Sequence, residues 1–275
     1  MIIDFHTHSH ASDGSLAPAE LATRAHAAGV LKLALTDHDT VAGYRELRDN
    51  ASLPDDLVLV PGAELSCTWS KVAVHVLGLG MDIEHPTFKA GLARLARARA
   101  ERAEMIAARL EKRGISGALA GARREAGCSH VARPHFAAWM AEAGYVRDAG
   151  QAFDRYLGAG KIGDVKALWP RLDEVVAWIT AAGGRPVLAH PLYYKLTRTR
   201  LRACIADFKA AGGEAIEVYS GRQDAQQLRR LCDLAGEFQL HVSGGSDFHG
   251  DREYGPRLGF DTGMLPDGAA LLSVG

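Results

Sequence analysis

Five short apolar runs in this chain stop abruptly at histidine or a carboxylate, and this repeat constrains the fold more than any other feature. The first run, residues 2–5, leads straight into His6, His8 and His10, with Asp13 close behind. A run this short and this rich in Ile and Phe reads as a buried strand. Side chains at i and i+2 of a strand point the same way, so His6 and His8 present two imidazoles on one side of the strand end. Residues 31–36 then end at Asp37 and His38, residues 57–60 reach Glu64, residues 186–189 end at His190, and residues 240–243 run into Asp247 and His249. Residues 72–79 differ, holding His75 inside the run between Val74 and Val76.

Helical patterns separate these runs. Pro18 suits a first helical turn and Gly29 a stop, and Gly183-Gly184 and Gly212-Gly213 mark later helix ends. Strands alternating with helices imply parallel βαβ units, and about seven strands are near the number needed to close a barrel. Barrel enzymes carry their sites at the C-terminal ends of the strands, which is where these histidines and carboxylates cluster. Residues 86–169 break the alternation. Leu92, Leu95, Ile106 and Leu110 share one helical face, Gly114 ends that helix, and further helices are predicted over 117–126, 134–143 and 148–157. The expected organisation is an α/β barrel domain over 1–85 and 170–275, with an all-helical insertion over 86–169 acting as a lid. Residues 258–275 give no clear element.

The 275 residues are 47% hydrophobic and 24% charged, with a net charge of −1, so binding to nucleic acid through bulk positive charge is not expected. No apolar stretch approaches membrane-spanning length and the chain opens without a signal-peptide pattern, which points to a cytoplasmic protein. Four dispersed cysteines form no CxxC pair and read as reduced thiols.

Nine side chains are the candidate metal ligands: His6, His8, Asp13, His38, Glu64, His75, His190, Asp247 and His249. They offer only nitrogen and oxygen, which suits Mn, Fe, Zn, Co or Ni rather than thiolate-selected metals. Nine are too many for one ion, and open three-ligand sites divide them into two or three. Three carboxylates against several divalent ions leave a positive pocket suited to an anionic substrate, with phosphate the obvious one.

In order along the chain, His6-Thr7-His8, Ser12-Asp13-Gly14, Thr36-Asp37-His38-Asp39, Gly62-Ala63-Glu64, His75, Ala189-His190-Pro191 and Ser246-Asp247-Phe248-His249 resemble the motifs of the PHP (polymerase and histidinol phosphatase) superfamily. Within it, the helical insertion, Ala132-Arg133-Pro134-His135-Phe136-Ala137 and the loop holding Lys161 are similar to the 3′,5′-nucleoside bisphosphate phosphatases and the related 5′→3′ exoribonucleases. The resemblance implies a distorted (β/α)7 barrel with two or three metal ions, up to a trinuclear centre, commonly of Mn²⁺, with Fe, Zn or Co as alternatives. Carried over, one ion takes His6, His8, Glu64 and Asp247. A second shares Glu64 and takes His75 and His190, and a third takes Asp13, His38 and His249.

The activity implied is phosphoester hydrolysis by a metal-activated hydroxide, removing the 3′-phosphate of a nucleotide such as pAp. Alternatives are 5′→3′ trimming of short RNA at the same centre, histidinol-phosphate hydrolysis, and a non-catalytic metal-binding domain. Glu64, Asp247, His190 and His249 are the catalytic candidates, with His190, His249 or a metal-bound water left open as the leaving-group acid. Arg133 and His135 are candidates for a second anion site, with Lys161 and Arg198 as weaker ones. Asp37 is expected to brace a ligand histidine, and His10 to lie near the metals. An RNA substrate needs stacking aromatics, for which Phe136, Trp139, Tyr145 and Trp169 are available. No membrane contact and no obligate protein partner are expected.

Overall fold

The computed structural model describes every residue except 51–52, 166–168, 252–254 and 275. The chain divides into two compact units, Met1–Leu92 with Pro170–Gly275, and Ala93–Trp169.

The first unit is built on one eight-stranded sheet. Its strands are β1 (Ile2–Thr7), β2 (Val30–Leu35), β3 (Val58–Trp69), β4 (Val72–Leu79), β5 (Arg185–Leu188), β6 (Ala215–Ser220), β7 (His241–Gly245) and β8 (Phe260–Asp261). They lie in the order β7-β6-β5-β4-β3-β2-β1-β8. Helices α1 (Pro18–Ala27) and α2 (Ala42–Asn50) follow β1 and β2, while α7 (Leu172–Ala181), α8 (Arg198–Ala210) and α9 (Ala225–Glu237) precede or link β5, β6 and β7. The sheet nearly closes on itself. Beyond β7, the Asp247 N–H donates to His6 O at 2.8 Å and the His8 N–H to Phe248 O at 2.9 Å, joining the top of β1 to the segment after β7. The approach is close enough to require glycine: a Cβ on Gly245 would lie 2.4 Å from His6 N.

Two expectations change. Glu64 does not lie past a strand end, because β3 runs on through Pro61 to Trp69. Its first part pairs with β2 and its remainder, from Gly62, with β4. The sheet is also not wholly parallel. Ser70-Lys71 is a two-residue turn, which can join only antiparallel neighbours, so β4 runs backwards between β3 and β5. That reversal explains His75. Entering from the turn, β4 passes the ligand end of the sheet early, and His75 pairs with Ser66, two residues beyond Glu64.

The second unit contains most of α3 (Pro86–Glu111), then α4 (Ala118–Ala126), α5 (Arg133–Glu142), α6 (Ala149–Ala152) and a π-helical turn (Phe153–Leu157). Its own core gathers Ile106, Leu110, Phe136, Trp139, Met140 and Leu157. Phe136 and Trp139, available in principle for stacking on bases, are therefore buried in that core. Trp169 lies beneath the guanidinium groups of Arg99 and Arg102. Among the described residues no helix is long and apolar enough to cross a membrane.

Candidate metal centre

Strand alternation places His6 and His8 on the inner side of β1, both fully buried, with their Nε2 atoms 3.1 Å apart. Asp247 Oδ1 lies 3.4 Å from each, and Glu64 Oε2 lies 3.4 and 3.3 Å from them. Glu64 is the hub. Its Oε1 meets His75 Nδ1 at 2.7 Å and His190 Nε2 at 2.8 Å, and its Oε2 also faces His38 Nδ1 at 2.9 Å. Beside this, Asp13 Oδ1 stands 3.4 Å from His249 Nε2 and 3.8 Å from His38 Nε2, and the His249 ring stacks on His8. The structure thus brings all nine sequence candidates together. Their ligand atoms form four overlapping groups, each within 4.8 Å: His8, Asp13, His38 and His249; His6, Glu64 and His190; His6, His8 and Asp247; His38, Glu64 and His75. The overlap differs in detail from the three sets of the sequence reading, because His6, His8 and His38 each belong to two groups.

The electrostatics are those of a charged cluster held in a dry place. Burial would raise the Glu64 carboxyl, yet His38, His75 and His6 hold it well below the usual range. Burial also opposes charge on His6, but Glu217, Glu64 and Asp247 raise it well above its ordinary value. Burial, with His249 and His38 alongside, pushes His8 down to about 3. Against burial, Asp13 and Asp247 lift His249 to about 9. The donor set fits divalent ions. Glu64 Oε2 and Asp13 Oδ1 are buried without a hydrogen-bond partner among the described residues, although imidazole nitrogens converge on both. Buried polar atoms left this way cost free energy unless a bound group satisfies them. Nitrogen and oxygen donors at this spacing suit a first-row divalent metal.

Supporting residues hold the cluster. Glu217, on β6 and buried, accepts from or pairs with His6 Nδ1 at 2.8 Å through Oε1, and its Oε2 accepts the His190 N–H at 2.6 Å. It therefore fixes which His6 nitrogen faces the cluster. Tyr194, in the 3₁₀ turn Pro191–Tyr194, donates to Ala189 O at 2.7 Å and accepts the His75 N–H at 2.9 Å. Asp4 accepts the Ser246 and Gly259 N–H groups at 2.8 Å each, and burial lifts its carboxyl to about 6. His190 and Asp247 themselves take left-handed backbone, at φ 26° and 54°. Such strain persists where the surroundings over-determine it, commonly at functional sites. Sequence reasoning missed Glu217, Tyr194 and Asp4. The one available signal was an acid inside an otherwise apolar strand pattern.

Other candidates lie elsewhere. Asp37 accepts the Ser9 N–H and the hydroxyls of Ser9 and Ser12, at 2.8, 2.7 and 2.6 Å, so it holds the turn leading to Asp13 instead of bracing a histidine. His10 is exposed and faces Glu46 at 3.8 Å, away from the cluster. Arg133 donates to Leu157 O at 3.1 Å and covers the Phe153 ring, and burial lowers its pKa. His135 accepts the Ala132 N–H at 2.9 Å, capping α5. Lys161 sits exposed in a turn of the second unit, and Arg198 is exposed at the first position of α8.

No family model matches the chain. It is similar to a 3′,5′-nucleoside bisphosphate phosphatase from Chromobacterium violaceum, 39% identical over 96% of this chain and 93% of the relative. It is 42% identical to a 5′-3′ exoribonuclease from Haemophilus influenzae, over 96% of each. Among solved structures, an amidohydrolase from Chromobacterium violaceum with bound sulfate and no metal superposes with a TM-score of 0.86 at 38% identity, over 98% of this chain and 93% of that one. A Bifidobacterium adolescentis structure assigned to the metal-dependent phosphoesterases gives a TM-score of 0.75 at 27% identity, over 95% and 93% of the two chains.

Proposed function

The chain belongs to the PHP family of metal-dependent phosphoesterases, and from that premise we propose that it removes the 3′-phosphate of nucleoside 3′,5′-bisphosphates, converting pAp to AMP. A second reading, release of nucleotides from the 5′ end of RNA at the same centre, is favoured by the full-length likeness to a 5′-3′ exoribonuclease. The observation that carries phosphoester hydrolysis is Glu64, one fully buried carboxylate facing five imidazoles. Such a hub, with Asp13 and Asp247 beside it, suits closely spaced cations and an anionic substrate.

We assign His6, His8, Glu64 and Asp247 to one ion, Glu64, His75 and His190 to a second, and Asp13, His38 and His249 to a third, with Mn²⁺ first in preference and Fe, Zn or Co as alternatives. When bound, such ions acidify water and neutralise charge developing on a phosphoryl group. The protein groups orient and hold. Glu64 supplies two oxygens facing different imidazoles. Asp247 keeps its side chain 17% exposed at the edge of the cluster, where it can orient the attacking water. His190 and His249 are the side chains assigned to the leaving ribose oxygen.

The test is an assay of purified protein with Mn²⁺ on pAp, a 5′-phosphorylated oligoribonucleotide and histidinol phosphate. Phosphate release from pAp is expected. A metal-loaded protein inert on all three overturns the enzymatic reading, and histidinol phosphate as the best substrate overturns the nucleotide assignment.

A further inference from the structure

A nucleoside bisphosphate carries a second phosphate, and the rim of the metal centre holds a cation placed to meet it. In the sheet, β6 lies between β5, which leads to His190, and β7, which leads to Asp247. The three strands are parallel, so the segment after β6 leaves the sheet on the same face as both ligands. β6 also reaches further out than β5. Leu188, at the end of β5, pairs with Ile216, whereas β6 runs on to Ser220, roughly 10 Å past Glu217 along the strand. Glu217 stands at the level of the cluster, where it holds His6 and His190. Ser220 pairs with Gly245, so Arg222 and Asp247 each follow closely after the same rung. The two segments touch there: a Cβ on Gly221 would lie 2.4 Å from Ser246 O.

Tyr193 and Arg222 shape this rim. Tyr193, in the turn after His190, stacks its ring on the His190 imidazole, with centroids 5.1 Å apart and planes 17° from parallel. The residue stays 42% exposed, so part of the ring faces solvent directly beside a proposed metal ligand. Its hydroxyl points at Ser220 O, 3.5 Å away, towards the end of β6. Burial raises this hydroxyl above its ordinary range, Asp247 and Glu217 add to the rise, and Arg222 opposes it. The guanidinium charge is therefore felt across the rim. The backbone of Arg222 is pinned by Gln223, whose Oε1 accepts the Ser220 N–H at 2.7 Å and the Arg222 N–H at 3.3 Å. The same side chain donates through Nε2 to Ser220 Oγ at 2.9 Å. Arg222 itself is exposed, and among the described residues no carboxylate lies within ion-pair distance of it. The nearest acids along the chain are committed elsewhere. Asp224 caps α9 by accepting the Gln227 N–H at 2.8 Å, and Asp251 pairs with Arg24.

We propose that Arg222 binds the phosphate that is not hydrolysed, the 5′-phosphate of a nucleoside 3′,5′-bisphosphate, with the nucleoside lying against Tyr193. The proposal rests on the bisphosphate phosphatase reading of the centre. A guanidinium suits the task, because it offers phosphate oxygens a planar fork of donors and stays charged at any working pH. Its place outward of Glu217 leaves depth for a ribose between it and the cluster. An exposed aromatic ring fixed on a ligand imidazole gives that ribose or its base an apolar wall with a polar tip. Arg222 thereby selects bisphosphates, since a nucleotide with the 3′-phosphate alone reaches the cluster without meeting it.

The test compares pAp with 3′-AMP, which differ only in the 5′-phosphate, on Mn²⁺-loaded protein. Arg222→Gln is expected to lower the ratio of kcat/KM for pAp over 3′-AMP by about 10- to 100-fold, the usual worth of a hydrogen bond to a charged group. Most of that loss should fall in KM. Arg222→Lys, which keeps the charge without the fork, should recover part of the ratio. Tyr193→Leu removes the ring from the path of the nucleoside, so it should raise KM for both nucleotides alike. Calorimetric titration with AMP, the product that retains the 5′-phosphate, reads the site without turnover, and Arg222→Gln should weaken it by a similar factor. An unchanged ratio in Arg222→Gln, including equal losses on the two nucleotides, overturns the proposal, as does wild-type affinity for AMP. Unchanged KM values in Tyr193→Leu overturn the nucleoside wall. A wild-type protein that hydrolyses neither nucleotide, yet binds AMP in a way that Arg222→Gln weakens, supports the phosphate site while overturning the phosphatase reading.

Discussion

His6 has a carboxylate at each end of its ring: Glu217 at Nδ1, and Glu64 with Asp247 near Nε2. Only one end can face a metal, so the Glu217 contact orients the ring and selects the ligating nitrogen. The same carboxylate holds the His190 N–H, so one buried residue fixes two candidate ligands on different strands. Glu217→Gln keeps the shape and removes the charge. It is expected to leave the fold intact and weaken Mn²⁺ binding to the metal-free protein by about 10- to 100-fold, as measured by titration calorimetry. Wild-type affinity in that variant shows that His6 needs no such brace. Asp247→Asn is expected to abolish turnover in a protein that still folds, and retained activity removes Asp247 from the reaction. The contrast between these residues shows what a sequence exposes. His6, His8, His38, His190, Asp247 and His249 are conspicuous because each interrupts the chain just as a strand pattern ends. Glu217 and Asp4 sit within strand patterns, where an acid on the outer face looks the same as one turned inward. Only the packed sheet decides which way such a side chain faces.

At the scale of the element, one turn accounts for the main departure from the expected barrel. Apolar content made β3 and β4 visible, but not their relative direction. Parallel pairing was the default drawn from strand–helix alternation, and no helix separates these two strands. The Ser70-Lys71 turn lacks the Asn-Gly or Asp-Gly pair that marks a tight hairpin, so its signal was absent from the sequence. Reversal of β4 carries His75 to the same end as Glu64, and mid-strand histidine and strand-exit histidine become neighbours. The near-closure of the sheet between β1 and β7 is similarly invisible in sequence, except for Gly244-Gly245. Gly245→Ala places a methyl group 2.4 Å from His6 N and 2.6 Å from His6 Cβ, against backbone that cannot move freely. The expected cost is about 1–3 kcal/mol, read as a lower denaturant midpoint, with weaker metal binding because β1 must shift. A midpoint and affinity equal to wild type would mean that the two strands separate without affecting the site.

For the whole molecule, the same cluster ties stability to pH and to metal. In the metal-free protein, burial opposes charge on His249, but Asp13 and Asp247 raise its pKa from 6.5 to about 9. A base raised in this way contributes stability that is complete below its unfolded value and is lost as pH rises through the folded one. The contribution is at most about 3 kcal/mol. His6 and His190 are raised as well, by carboxylates that overcome their burial, and act in the same direction. His8 and His75 are lowered, chiefly by burial, so their contribution is present above pH 6.5 and falls away as the solution becomes more acidic. The metal-free protein should therefore be most stable near pH 6.5 and should lose Tm towards about pH 9. Metal loading requires these imidazoles to give up their protons, so loading and high pH favour the same state of the ligands. The Tm gain from Mn²⁺ should accordingly grow across the range in which metal-free Tm declines, since stabilisation by a ligand rises with the logarithm of its affinity. Thermal melts in EDTA and in Mn²⁺ across that range give the two curves. Calorimetric titration in buffers of different ionisation enthalpy should show proton release at neutral pH. A Tm gain independent of pH, or metal uptake without proton release, would mean that His6, His190 and His249 are not charged in the metal-free protein, and that the carboxylates around them serve only to hold the rings in place.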